Sequence, residues 1–147
     1  MVAIFLLIAV IGISGLAAGI DLMVRRRHRC ILAGLCDQWA MRYSASDVLG
    51  MGVRLQAAFP VSGASDLRVR DLVYRREADQ YRYLLTVEYT RGVIGAKRRL
   101  RQVVTFTEPC NAAAGQPPSA MELAPDDLPI VQQYQYLIEK QSPSAQK

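Results

Sequence analysis

The side chains whose type and spacing could support chemistry in this chain are mainly clustered arginines. One cluster occupies residues 25–29, directly after a long apolar stretch, and a second basic run occupies residues 97–101. Clustered arginines bind phosphate groups and anionic lipid headgroups. We therefore take two sets as candidate binding residues. The membrane-interface set is Asp21, Arg25, Arg26, Arg27 and Arg29, and the candidate anionic-surface set is Arg99 and Arg101.

Sequence motifs for catalysis, metal binding or cofactor binding are lacking. His28 is the single histidine and belongs to the first basic cluster, and the three cysteines, Cys30, Cys36 and Cys110, show no metal-ligand spacing. The glycines of residues 92–95 lie in a predicted hairpin turn, whereas a nucleotide-binding loop connects a strand to a helix. We predict no catalytic residue, metal or cofactor, and we expect no small-molecule substrate.

The N-terminal stretch has the length and composition of a transmembrane helix. Residues 2–20 carry no charge, and a helix of this length covers roughly 30 Å, the thickness of the bilayer hydrocarbon. Arginines that follow such a stretch stay in the cytoplasm, which places the N-terminus outside. A signal peptide usually begins with basic residues instead. We predict an uncleaved anchor over residues 1–24; a cleaved signal peptide and a buried soluble helix are the alternatives.

Two features of the anchor have a further interpretation. Gly15 and Gly19 form a small-residue ridge that lets a second helix approach closely, so a homo-oligomer or a membrane protein partner is predicted at this ridge. Asp21 lies one helical turn before Arg25, and we expect an ion pair between them at the headgroup level.

Charge and cysteine content restrict the partners of the remaining residues. Four arginines and Asp21 account for +3 of the net charge of +5, so residues 30–147 carry only about +2. A nucleic-acid-binding domain usually has a larger, one-sided excess, and nucleic acid is not an expected partner. The cysteines should be reduced in the cytoplasm, whereas Cys36 and Cys110 could form a disulfide if the domain were exported.

Helical periodicity follows the first basic cluster. Apolar residues from Leu32 to Tyr43 recur at the spacing of an amphipathic helix, which predicts that the anchor helix continues into the soluble domain. Ser44 and Asp47 have the spacing of a capping box, and we expect a second helix from Val48 to near Pro60.

The period then changes to two, which predicts three antiparallel strands over residues 67–74, 81–90 and 97–108. In the middle strand the tyrosines share one face, which should meet the helices. A turn at residues 92–95 would pair Tyr83 with Val104 and place Glu88 opposite Arg99 on the solvent side. In the first strand either register leaves Arg70 or Asp71 on the inner face.

Residues 109–126 are rich in proline and alanine and are predicted to be a connector without core residues. Apolar residues at helical spacing predict a C-terminal amphipathic helix over residues 127–140, which either packs on the sheet or binds another protein. Residues 141–147 should be disordered.

The predicted fold is therefore α+β: an N-terminal transmembrane helix continues into amphipathic helices that pack on a three-stranded antiparallel sheet, with a C-terminal helix after it. Residues 25–108 form the small α+β domain. We expect a single-pass membrane protein with a non-catalytic cytoplasmic interaction or assembly domain. The alternatives are a module that binds anionic lipid headgroups and a membrane-tethered enzyme with Glu88 and Tyr83 in one pocket.

Overall fold

A computed structural model of the chain describes residues 2–92, 96–112, 117–118 and 120–141, except for the side chains of residues 2, 3, 7–10, 17 and 21. The fold is α+β, as predicted. Its elements are α1 (Val2–Gln38), β1 (Arg42–Ser44), α2 (Met51–Gln56), β2 (Ser65–Glu77), β3 (Gln80–Arg91), β4 (Arg98–Pro109), β5 (Glu122–Leu123) and α3 (Ile130–Gln141).

The sheet has five strands in the order β1-β2-β3-β4-β5, and every neighbouring pair is antiparallel. The prediction of three strands was therefore wrong. The two additional strands lie at the edges and contain three and two residues. Strands this short cannot display an alternating pattern, so the sequence gives no signal for them.

Helix α1 runs without a break from the apolar segment into the folded domain, as predicted. Its final turns belong to the domain core, because Leu32 and Cys36 are buried there. The helix ends at Gln38, since Ala40 adopts a left-handed conformation (φ 51°) and the backbone N–H of Met41 donates to the carbonyl of Cys36 at 2.9 Å. The amphipathic pattern therefore stops before Tyr43, which lies in β1.

Helix α2 begins three residues later than predicted and ends at Gln56, before the predicted end near Pro60. The predicted capping box was also wrong, because Ser44 lies in β1 and Asp47 caps the helix instead. The carboxylate of Asp47 accepts hydrogen bonds from the backbone N–H groups of Met51 and Gly52, both at 2.7 Å. Gly50 lies between Asp47 and Met51 and has a φ of 65°, a conformation that residues with a side chain rarely adopt. Asp47 thus caps this six-residue helix, although it lies four residues before the first helical residue.

Both faces of the sheet are covered. The tyrosine face of β3 packs against α2, as predicted, with a core that includes Leu55, Leu85 and Phe106. The opposite face was predicted to be solvent-exposed, and this was wrong. Helices α1 and α3 pack there around Leu84, Val103 and Tyr134 among other residues.

The β3–β4 register differs from the predicted register by two residues. Tyr83 pairs with Phe106, and Glu88 pairs with Arg101 rather than Arg99. The connection spans residues 92–97 and is longer than a tight turn; Val93–Gly95 of the predicted turn lie outside the described residues. A shift of two residues preserves the faces of both strands.

The predicted connector contributes to the core. It contains β5, and Ala124 is buried beside it. Helix α3 docks on the same chain: buried Gln133 accepts a hydrogen bond from the backbone N–H of Val103 at 2.8 Å and donates to the carbonyl of Leu128 at 2.7 Å. The first residue of the predicted disordered tail, Gln141, belongs to α3, and residues 142–147 lie outside the described residues.

Candidate functional site

A polar cleft lies where α1, the sheet and the start of α3 meet. Its cavity volume is about 60 Å³, which is room for several water molecules or one small ionic group. The lining is mostly charged and comes from five elements, which are α1, β2, β3, β4 and α3. It consists of Arg25, His28, Arg29, Leu32, Arg70, Asp71, Thr86, Glu88, Arg101, Ile130 and Val131.

A buried carboxylate organises the arginines of this cleft. The side chain of Glu88 is only 3% exposed. Its Oε2 accepts a hydrogen bond from Nε of Arg70 at 3.0 Å, and its Oε1 accepts one from Nε of Arg101 at 2.6 Å. Nη2 of Arg99 lies 3.3 Å from Oε2. The three arginine side chains are 40–45% exposed, so Glu88 holds three guanidinium groups together at the surface.

A β-bulge brings Arg70 and Asp71 to the cleft. Val69 pairs with Val87 and Leu72 pairs with Leu85, so two residues of β2 lie opposite one residue of β3. Because of this extra residue, Arg70 and Asp71 both lie on the face opposite Val69 and Leu72. A strict alternation of faces along the strand cannot produce this arrangement. The bulge leaves both charged side chains in the cleft lining while Val69 and Leu72 share the opposite core.

The part of the cleft next to α1 contains a second carboxylate. Oδ1 of Asp71 accepts a hydrogen bond from the hydroxyl of Tyr43 at 2.7 Å and lies 3.9 Å from Nε of Arg29. The hydroxyl of buried Tyr134 donates to the backbone carbonyl of Asp71 at 3.0 Å and lies 3.0 Å from the hydroxyl of Thr86. These two contacts attach helix α3 to β2 and β3, the strands that contain Asp71 and Thr86.

The electrostatics of Glu88 favour binding over acid–base catalysis. Burial is the largest influence and acts to raise the pKa of Glu88, but the hydrogen bonds and charges of Arg70 and Arg101 outweigh it and lower the pKa. A carboxylate whose pKa is lowered is a poor general acid near neutral pH, because it is already deprotonated, and a weak general base, because it binds a proton poorly. Tyr83 belongs to the core on the other sheet face, so the structure does not bring together the enzymatic pair of Glu88 and Tyr83.

The structure unites residues from both predicted basic clusters. Arg25 and Arg29 line the cleft together with Arg101, and Arg99 joins them through Glu88. Positions 25, 28, 29 and 32 share one helical face, whereas Arg26 and Arg27 are exposed elsewhere on α1. The side chain of Asp21 lies outside the described residues, so its ion pair with Arg25 stays a prediction.

Gly15 and Gly19 lie on the apolar segment of α1, and a Cβ atom at either position would meet no described heavy atom within 4 Å. The predicted helix–helix contact at these glycines also stays a prediction. Cys36 is buried, Cys30 and Cys110 are exposed, and all three are free thiols.

The burial of Glu88 and the participation of Arg70 were not predicted from the sequence. One signal for the burial was available, because Leu84 and Val103 are apolar residues on the face assigned to solvent. The bulge that positions Arg70 has no comparable signal, since it interrupts the very alternation on which strand prediction depends.

Among the residues that the structure describes, no group of three or more His, Cys, Asp or Glu side chains is placed to hold a metal ion. Comparison with known proteins found no matching family model, no significantly similar curated protein and no significantly similar solved structure.

Proposed function

We propose that this chain is a single-pass membrane protein that crosses the bilayer through residues 1–24, with the N-terminus outside and the α+β domain in the cytoplasm. Helix α1 is long and apolar enough to span a bilayer. Its described apolar side chains do not pack on the domain; Phe5 and Leu16 are about 70% exposed. Such a surface is costly in water and favourable in lipid, and the arginines after Val24 favour the cytoplasmic orientation.

The function that the geometry supports best is a non-catalytic binding module for anionic lipid headgroups. The continuity of α1 is the observation that supports this proposal most directly. One helix supplies both the apolar segment and the wall of the basic cleft, so the cleft cannot move far from the bilayer. Arg25 and Leu32 are separated by about 10 Å along the helix, and the headgroup layer is about 5–7 Å thick. With the bilayer-spanning segment ending at residue 24, the Arg25 end of the cleft lies at the level of the headgroup phosphates.

Assembly with a protein partner or a second copy of the chain is the second candidate function. The open space around Gly15 and Gly19 supports it, because another helix backbone could approach there closely. This contact would lie inside the bilayer and would leave the basic cleft accessible.

The orientation is tested with a C-terminal reporter that is active only in the cytoplasm, paired with one that is active only outside. The proposal predicts a signal from the cytoplasmic reporter alone. A signal from the exterior reporter would contradict the orientation and would make the Cys36–Cys110 disulfide the next feature to examine.

Headgroup binding is tested with the full-length protein in bilayers that contain spin-labelled lipids. The association constant of an anionic lipid relative to a zwitterionic lipid should fall by about 30-fold in the Arg99→Ala/Arg101→Ala variant, since two juxtamembrane cations contribute about 1 kcal/mol each. The matched control is Arg42→Ala/Arg76→Ala, which removes the same charge from exposed positions outside the cleft lining. Equal loss in both variants would contradict a role for the cleft.

A further inference from the structure

The charge of the cleft lining indicates which headgroup it would bind. Four arginines and two carboxylates line it, so its net charge is +2 when His28 is counted as neutral. A phosphate monoester carries between about −1.5 and −2 at neutral pH. A phosphodiester carries a single negative charge and would leave the cleft only half neutralised.

The donors of the cleft match the geometry of a phosphate group. Arg70 and Arg101 donate to Glu88 through Nε, and their terminal Nη atoms donate no hydrogen bond to another residue within the described part of the chain. Guanidinium groups bind phosphate oxygens through two parallel N–H donors. Glu88 therefore holds both side chains in place while it uses only one of the donor positions on each.

Size and position fit a phosphate group at the bilayer surface. A cavity of about 60 Å³ has room for one phosphate group, and the rest of the bound molecule would lie outside it. The first turn of α3 contributes Ile130 and Val131 to the lining, and the start of a helix carries partial positive charge. This partial charge adds to the net positive charge of the lining.

We propose that the cleft binds one phosphomonoester group, presented by a lipid of the bilayer in which α1 is inserted. This inference rests on the proposed function and refines it from anionic headgroups in general to a dianionic one. The same chemistry would also recognise free inorganic phosphate, which the experiment distinguishes from the lipid.

The test uses the full-length protein in nanodiscs of zwitterionic lipid that contain either spin-labelled phosphatidic acid, a monoester, or spin-labelled phosphatidylglycerol, a diester. We expect the wild-type protein to prefer the monoester by about fivefold, the effect of one additional charge at a bilayer surface. Val131→Glu adds a negative charge at the cleft and should abolish the preference. Gln132→Glu adds the same charge at an exposed neighbour outside the lining and should retain it.

Both variants should fold, because an acidic residue in the first turn of a helix is favourable. Equal affinity for the two anionic lipids, both above the zwitterionic lipid, would overturn this inference and leave the proposed function intact. No preference for either anionic lipid would overturn both. Saturable binding of millimolar inorganic phosphate to protein in purely zwitterionic discs, without a monoester lipid preference, would overturn the lipid as the source of the phosphate.

Discussion

Replacing Glu88 with glutamine is the sharpest test of the arginine network. The substitution keeps the shape of the side chain, removes its charge and places an amide N–H₂ donor where one guanidinium now donates. A hydrogen bond between charged groups contributes about 1.5–3 kcal/mol. Glu88 makes two of these bonds, but its arginine partners are nearly half exposed and can be solvated again. We therefore expect a loss of about 2–3 kcal/mol in the free energy of unfolding.

The assay is urea unfolding of the full-length protein in detergent micelles, followed by the fluorescence of Trp39, the single tryptophan. Asp66→Asn is the matched control, because Asp66 pairs with Arg68 and both side chains are about half exposed. Its expected loss is about 1 kcal/mol or less. Unfolding of Glu88→Gln at the same urea concentration as Asp66→Asn would contradict a stabilising arginine network around Glu88.

Acid unfolding is an independent test of the lowered pKa of Glu88. A carboxylate whose pKa is lower in the folded state contributes stability that is fully present above its unfolded pKa, about 4.3, and is lost as the pH falls through the folded pKa. The wild-type protein should therefore lose more stability between about pH 5 and pH 3 than Glu88→Gln does. Parallel curves for the two proteins over this range would show that the network does not lower the pKa of Glu88.

Three other substitutions test the fold and the anchor. Asp47→Ala removes both cap hydrogen bonds at the start of α2 and should destabilise the domain by about 1–2 kcal/mol in the same urea assay. Gln133→Leu leaves a buried backbone N–H of β4 without its partner and should cost about 1–3 kcal/mol, whereas Gln132→Leu should change stability by less than about 0.5 kcal/mol. Gly15→Leu/Gly19→Leu should reduce energy transfer between labelled copies in bilayers if these glycines form a helix contact; unchanged transfer would contradict that contact.

Long, periodic elements of this fold were predictable from the sequence, and the short ones were not. The continuous α1, the three long strands and the C-terminal helix each repeat their pattern over several turns or alternations. The edge strands are too short for such a pattern. The end of α1 depends on Ala40, a residue type with no particular preference for the left-handed conformation it adopts.

The candidate site was predictable only in part. Both basic clusters could be recognised in the sequence from their runs of arginine. Arg99 and Arg101 had to share a strand face because they are two residues apart. Their convergence with Arg25 and Arg29 depends on tertiary packing, since α1 covers the face that the sequence assigned to solvent. Arg70 reaches the cleft through a bulge that sequence periodicity cannot show.

The most direct test of the account is a distance measurement between arginine and lipid phosphate in a bilayer. Solid-state NMR on full-length protein with carbon-labelled arginine would measure the separation of guanidinium carbon and lipid phosphorus. In bilayers with phosphatidic acid we expect contacts of about 4–5 Å, the separation for direct hydrogen bonds, that become fewer in Val131→Glu and are unchanged in Gln132→Glu. Arg26 and Arg27 are exposed outside the cleft lining and contribute contacts in all three proteins. Contacts of equal strength in the two variants, or none in the wild-type protein, would contradict headgroup binding in the cleft.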